Sequence, residues 1–138
     1  MANPDKHIRL AAYDLLNDMV VSGNTIPCIS GKVSGSTLPM FYVLLSSQTK
    51  RPTNKSKCGF QWDCSLLIDA VTRYDSTGNP GSRVLLNDIE EKILELMKSF
   101  AVTDLFSLEF ESSDPADMDT DTENMFRQLI RYRIVINN

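Results

Sequence analysis

The sequence contains few of the residues on which most catalytic and metal sites depend. It has one histidine, His7, and three cysteines, Cys28, Cys58 and Cys64. The cysteines are odd in number and lack CxxC spacing, which argues against a disulfide framework or a zinc site and indicates buried thiols in a reducing compartment. No Ser/His/Asp or Cys/His motif and no glycine-rich phosphate loop is present. The sequence therefore predicts a protein that is not an enzyme and uses no cofactor or metal.

Long hydrophobic runs are also missing. No apolar stretch approaches the roughly 18 residues of a membrane-spanning helix, and the opening residues, MANPDKHIRL, lack the apolar core of a secretory signal. The formal net charge of −4 disfavours nucleic-acid binding over the whole surface, although it allows a local basic patch. A hydrophobic share of 42% and a charged share of 23% are typical of a soluble globular protein. At 138 residues, the chain is expected to form a single domain, residues 1–138.

Hydrophobic periodicity predicts the element order α-β-β-β-α-β-β. The first helix begins at Pro4, capped by Asn3, and ends at Gly23-Asn24, and the second covers about residues 82–100. Strands with alternating or continuous apolar residues are predicted at 25–30, 39–47, 60–72, 105–112 and 123–138. Because the strands occur in runs, we predict an α+β fold: a mainly antiparallel sheet of about five strands with two helices packed on one face.

The last predicted strand has two different faces. One is apolar and carries Phe126, Ile130, Tyr132, Ile134 and Ile136. The other carries Arg127, Arg131 and Arg133, and such a basic row in an acidic protein has a partner either inside or outside the fold. Glu109 and Glu111 of the preceding strand have the spacing to form cross-strand pairs with Arg131 and Arg133. Arg127 has no such mate in this hairpin, so it is our candidate for an external contact, with a lumen or a partner.

Two predicted loops carry opposite charge. The basic loop, residues 48–59, contains Lys50, Arg51, Lys55 and Lys57, and the acidic loop, residues 113–124, contains Asp117, Asp119, Asp121 and Glu123. Both have the composition of solvated loops. A calcium site in the acidic loop is disfavoured, because Thr122 and Gln128 occupy the positions where the twelve-residue calcium loop requires glycine and glutamate. The remaining alternative is a subunit interface in which the basic loop of one copy meets the acidic loop of its neighbour.

Several segments together resemble one protein family. They are TIPCI at 25–29, PMFYVLL at 39–45, FQWDCSLLI at 60–68, the predicted helix at 84–100 and RYRIVI at 131–136. Their order along nearly the whole chain resembles the tail terminator proteins of tailed bacteriophages and the related minor tail and head–tail joining proteins. The acidic loop has no counterpart in this resemblance.

The resemblance implies a structural virion protein without catalytic residues. It implies a hexameric ring at the head-proximal end of the tail or neck, which ends tube assembly and joins the tail to the head. Its expected partners are further copies of the chain, the tail tube, neck or head-completion proteins, and genomic DNA that passes through the lumen without sequence-specific contact. No contact with a membrane is expected. The expected location is the virion, and the host cytoplasm during assembly. The residues leave open a small nucleic-acid-binding or regulatory domain that uses Arg127, Arg131 and Arg133, and, as a third reading, a metal-dependent enzyme centred on the acidic loop.

Overall fold

The computed structural model describes residues 3–30, 40–56, 59–75, 83–119 and 123–137. Helix α1 spans Pro4–Leu16 and helix α2 spans Arg83–Met97. The strands are β1 (Met19–Val21), β2 (Asn24–Ile26), β3 (Cys28–Ser30), β4 (Phe41–Ser56), β5 (Gly59–Asp75), β6 (Leu105–Pro115), β7 (Met118–Asp119) and β8 (Glu123–Asn137). Within these ranges, no helix is long and apolar enough to cross a membrane.

The main sheet has the strand order β3-β4-β5-β8-β6. β3 lies parallel to β4, and every other pair in this sheet is antiparallel. The short β7 continues the line of β6 and pairs with the start of β8. The predicted pairing of β6 with β8 is present, β4 pairs with β5, and β8 lies between β5 and β6. The predicted α+β class, with its order of helices and strands, is confirmed.

The core lies between this sheet and the two helices. The fully buried helix residues are Ile8, Ala12, Leu16, Leu86, Ile89, Ile93 and Met97, whose spacing of three and four puts them on one side of each helix. At the centre of the sheet, Ile68 pairs with Leu45 on β4 and with Ile130 on β8, and none of the three is exposed to solvent. Every second residue of β8 from Ile130 to Ile136 is buried in this core, as its alternation predicts.

The first helix is shorter than predicted. It ends at Leu16, and Met19 belongs to β1, which forms a separate two-stranded sheet with β2. Ser22 and Gly23, between these strands, both have positive φ, the geometry of the tight turns that join hairpins. The Ser-Gly turn was therefore misinterpreted as a helix end. Asn3 does not cap the helix with its side chain; its Oδ1 accepts a hydrogen bond from Lys50 Nζ at 2.9 Å instead.

Most of both predicted charged loops is strand, so those two loop assignments are wrong. β4 continues to Ser56 through the basic residues, and Pro52 is tolerated there because it lies beyond the part of β4 that β3 reaches. On the acidic side, β6 extends to Pro115, β7 follows, and β8 begins at Glu123. The polar composition misled the prediction, because cross-strand hydrogen bonding to β5 and β8 outweighs the weak β-propensity of these residues.

A bulge in β4 is held by one arginine of α1. The register of β4 shifts between Leu45 and Gln48, which frees the carbonyl groups of the bulge from the ladder. Arg9 Nη1 donates to Leu45 O at 3.0 Å, and its Nε donates to Gln48 Oε1 at 2.7 Å. Arg9 Nη1 also donates to Ser30 Oγ on β3. This side chain therefore ties α1 to the edge of the sheet at which β3 lies.

Candidate functional site

The sheet face opposite the helices carries the row of arginines that the sequence analysis singled out. Strand alternation puts Asp63 and Asp69 of β5 on this side, together with Arg127, Arg131 and Arg133 of β8. We call these five residues, with Arg51 of β4, the charged face. The three arginines do lie on one face of β8, as predicted. Their neighbour on that face is β5, whose aspartates the sequence analysis does not identify as partners of the arginines.

Arg127 is engaged inside the chain. Its Nε donates to Asp69 Oδ2 at 3.2 Å, and its Nη2 reaches the same oxygen. Asp69 is only 1% exposed, and Arg127 Nη1 also approaches Met118 Sδ at 3.1 Å. Burial raises the pKa of the Asp69 carboxyl, and the hydrogen bond and charge of Arg127 oppose that rise. As predicted, Arg127 has no mate in the hairpin of β6 and β8, and its partner lies instead on β5, at the other side of β8. Its contact with a lumen or a partner stays a prediction.

Arg133 lies between two acidic groups. Its Nε and Nη2 donate to the two carboxylate oxygens of Asp63 at 3.0 and 3.1 Å, a fork geometry that suits a guanidinium. Its Nη1 is 3.7 Å from Glu109 Oε2, which confirms the predicted cross-strand pair. Arg51 Nη2 is 3.7 Å from Asp63 on the other side. The hydrogen bond from Arg133 lowers the pKa of Asp63, and Asp63 raises the pKa of Arg133.

Because the pKa of Asp63 is lowered, we expect its contribution to the free energy of unfolding to depend on pH. A carboxylate whose pKa falls on folding contributes stability above its ordinary value of 3.8, and this is lost as the pH falls through the lowered value. We expect the wild type to be more stable than Asp63→Asn at neutral pH, and the difference to disappear in this acid range. Urea unfolding of both proteins over a pH series measures it, with Asp14→Asn, on the exposed side of α1, as the control. A difference that persists unchanged into acid contradicts the prediction.

Arg131 is the member of the row that remains available. It is exposed, and it pairs in register with Leu67 and Ser112. The predicted pair with Glu111 is wrong, because β6 has a register shift between Phe110 and Ser112 that removes Glu111 from the ladder. Over the described ranges, Arg131 has no ion-pair partner. If the charged face contacts an external anion, Arg131 is better placed for it than Arg127.

The predicted interface residues lie at opposite ends of the sheet. Lys50 Nζ is 3.1 Å from Asp5 Oδ2 and stands over the Trp62 ring on the helix side, while Arg51 belongs to the charged face. At the other end, Asp117 pairs with Arg83 and accepts a hydrogen bond from the backbone N–H of Arg127 at 3.3 Å. Lys55, Asp119 and Glu123 lie within β4, β7 and β8, whereas Lys57 and Asp121 fall outside the described residues. Among the described residues, the two groups do not meet within one subunit.

The two cysteines within the described residues are poor nucleophiles at neutral pH. Cys28 and Cys64 are buried and free. Burial raises the pKa of Cys28 to about 12 and that of Cys64 to about 11, so both thiols stay protonated. The described residues also contain no group of three or more His, Cys, Asp or Glu side chains that could hold a metal ion.

Comparison with known proteins identifies a shared fold. No protein-family model and no curated protein matches the chain. A chain in a solved structure described as "Virion of native gene transfer agent (GTA) particle" is similar at 14% identity, with a TM-score of 0.73. The likeness covers 97% of this chain and 97% of that chain. At this identity, it establishes the fold alone.

Proposed function

We propose that the protein is a structural subunit of a tailed-phage-type virion. In this proposal, it forms a ring, with six copies as the expected number, at the head-proximal end of the tail or neck. The ring ends tube assembly and joins the tail to the head while leaving a channel for DNA. The observation that carries the proposal is the end-to-end fold likeness to a chain of a gene transfer agent virion. The resemblance of the sequence to tail terminator and head–tail joining proteins supports the same role. We propose that this role involves no catalysis and that the protein resides in the virion after assembly in the host cytoplasm.

The placement of charge suits head-to-tail association. The described members of the basic group, Lys50, Arg51 and Lys55, and of the acidic group, Asp117, Asp119 and Glu123, are at opposite ends of the sheet, and the proposal extends each group to Lys57 and Asp121. Copies joined head to tail bring unlike surfaces together, and such a contact generates a closed ring when the rotation closes. We propose that the two groups meet between neighbouring copies. Lys50, Arg51 and Asp117 contribute less, because each already has an intramolecular partner.

The ring itself is tested by mass and by shape. Native mass spectrometry of the concentrated protein should show a species of about six times the 15.5 kDa chain mass, and negative-stain electron microscopy should show rings with a central channel. A chain that remains monomeric at every concentration and binds DNA with strong salt dependence would favour the nucleic-acid-binding alternative. The structure weakens that alternative, since Arg127 and Arg133 are already neutralised by Asp69 and Asp63.

Charge reversal tests the proposed contact between the ends. We expect Asp119→Lys with Asp121→Lys to convert rings into smaller species, because the basic group of the neighbour would then meet like charge. The matched control is Glu91→Lys with Glu95→Lys, which makes the same charge change on the exposed side of α2. Sedimentation velocity at low and high salt measures the species. Equal ring populations in the variant and the control would show that the acidic group does not contribute.

A further inference from the structure

Arg127 lies opposite a break in the sheet. β6 and β7 are separated by Ala116 and Asp117, which belong to neither strand. We call residues 116–119 the β7 segment; it carries two members of the acidic group. The N–H of Ala116 donates to Arg127 O at 2.9 Å, and the N–H of Arg127 donates to the Asp117 carboxylate at 3.3 Å. Both backbone polar groups of Arg127 are therefore bound to the residues at the break.

The side chain of Arg127 connects the β7 segment to the interior of the sheet. Its Nη1 is 3.1 Å from Met118 Sδ on β7, and its Nε donates to Asp69 Oδ2 at 3.2 Å. Asp69 lies on β5, at the other side of β8, and is buried. Because a guanidinium is a rigid planar fork, fixing the nitrogens beside Asp69 also limits where the nitrogen beside Met118 can lie.

Apolar packing contributes little to the position of the β7 segment. Asp117 and Met118 are both exposed, and β7 itself has only two residues. The end of β6 before the break is fixed differently: Ser113 Oγ donates to Glu90 Oε1 of α2 at 2.9 Å and accepts a hydrogen bond from Gln128 Nε2 at 2.7 Å. Segments with few buried apolar contacts open at a low free-energy cost. Polar contacts therefore decide how firmly the β7 segment is held.

Arg83 of α2 also binds the β7 segment, but from a more exposed position. It pairs with Asp117, and its guanidinium lies over the Phe126 ring at 4.9 Å from the centroid. The Arg83 and Asp117 side chains are 45% and 37% exposed, and ion pairs this open to water contribute little. The pair of Arg127 with the buried Asp69 is screened less by water, so it is the firmer of the two attachments.

We propose that the Asp69–Arg127 pair holds the β7 segment in one position and so presents its acidic residues to the neighbouring copy. The use of a buried ion pair supports this role. Replacing such a pair by apolar side chains of similar volume is often neutral or stabilising, whereas charge-assisted hydrogen bonds hold their partners in a defined geometry. The contact with a neighbour rests on the proposed function; the position of the segment concerns the single chain. Arg127 is thus a positioning residue, which acts through the acidic residues beside it.

Amide hydrogen exchange followed by NMR tests the position of the segment. The variant is Arg127→Met with Asp69→Leu, which keeps the bulk of both side chains and leaves no charge buried. The N–H of Ala116 is the reporter, because its acceptor is a backbone carbonyl that wild type and variant share. We expect this N–H to exchange about tenfold faster in the variant, the change that corresponds to losing one charge-assisted hydrogen bond. The control is the N–H of Val43, bound to Pro27 O at the other edge of the sheet, which should exchange at the wild-type rate.

A second variant leaves the ion pair intact. Met118→Leu removes only the sulfur that Arg127 contacts, and it should also accelerate the exchange of Ala116, by less than the double variant does. Unchanged exchange of Ala116 in both variants would overturn the inference. Equal acceleration of Ala116 and Val43 in the double variant would overturn it too, since the pair would then stabilise the whole sheet and not the β7 segment in particular.

Sedimentation velocity tests the link to assembly. At equal concentration, the double variant should lose rings in favour of smaller species, because a surface that is in its binding position only part of the time binds with an affinity reduced by that fraction. Arg131→Ala, on the same strand and face, should assemble as the wild type does. Normal rings from the double variant would overturn the positioning role and leave the proposed function standing. A wild-type chain that never assembles would overturn the proposed function, whereas the exchange of Ala116 still decides whether the pair holds the β7 segment.

Discussion

Replacing Arg127 by alanine should lower the free energy of unfolding by about 3 kcal/mol, the lower end of the range for breaking a buried ion pair. The reason is the group left behind: Asp69 is 1% exposed, and without Arg127 its carboxylate stays buried with no compensating charge. We expect a loss at the lower end of the range because the Arg127 side chain is 26% exposed, so water can partly take the place of its guanidinium beside Asp69. Urea unfolding followed by circular dichroism measures the change.

Two further variants separate the ion pair from the bulk of the side chain. Arg131→Ala removes an arginine from the same strand and the same face, and should change stability by no more than about 0.5 kcal/mol. Arg127→Met combined with Asp69→Leu removes both charges, and should lose less than Arg127→Ala alone, since no charge is then left buried. Equal losses for Arg127→Ala and Arg131→Ala would show that the Asp69 pair has no special role.

Replacing Ile68 by alanine should be at least as damaging, with a loss of about 4 kcal/mol, within the usual range for large core truncations. Ile68 lies on the central strand, and its neighbours Leu45 and Ile130 are fully buried on both sides. They belong to long paired strands and cannot easily collapse into the space, so most of the cavity should remain. Thermal and urea unfolding both report the change.

A graded series checks that this loss comes from packing. Ile68→Val removes one methyl group and should cost about 1 kcal/mol. Val84→Ala removes apolar atoms from a side chain that is 71% exposed and should change little. If Ile68→Ala and Val84→Ala had similar effects, the sheet would have to repack freely around position 68.

The main elements could be predicted from the sequence because they carry strong periodic signals. The alternation in β5 and β8 and the helical spacing of Ile89 and Ile93 identify structure and buried face together. The β1–β2 hairpin was missed because each of its strands has only three residues, too few to show a period. The sequence predicts loops for the second half of β4 and the last three residues of β6, because pairing with a neighbouring strand, which the sequence does not show, decides their conformation.

The partners of the arginines were harder to predict than the arginines themselves. The hairpin rule correctly pairs Glu109 with Arg133, since the two strands are consecutive apart from the short β7. Asp63 and Asp69 are separated from β8 by α2 and β6, so nothing local indicates that β8 lies beside β5. A weaker signal for this pairing is present: Asp63 and Asp69 alternate with apolar residues on β5 as the arginines do on β8, so each strand has one charged face, and the two faces have opposite charge. This match indicates a pairing only if β5 and β8 are assumed to be neighbours in the sheet, and the sequence does not determine the strand order.

The position of β8 also determines when the sheet can exist during synthesis. β5 pairs with β4 early in the chain, but β6 does not pair with β5 and is joined to the sheet only through β8, the last of the described strands in chain order. Its pairs with β5 join residues as distant in sequence as Gln61 and Asn137, so much of the loop-closure entropy is lost in a single late step. Until then, one edge of β5 and both edges of β6 lack a partner among the described strands. Chaperone protection at this stage would therefore matter more for this topology than for one whose strands pair in chain order.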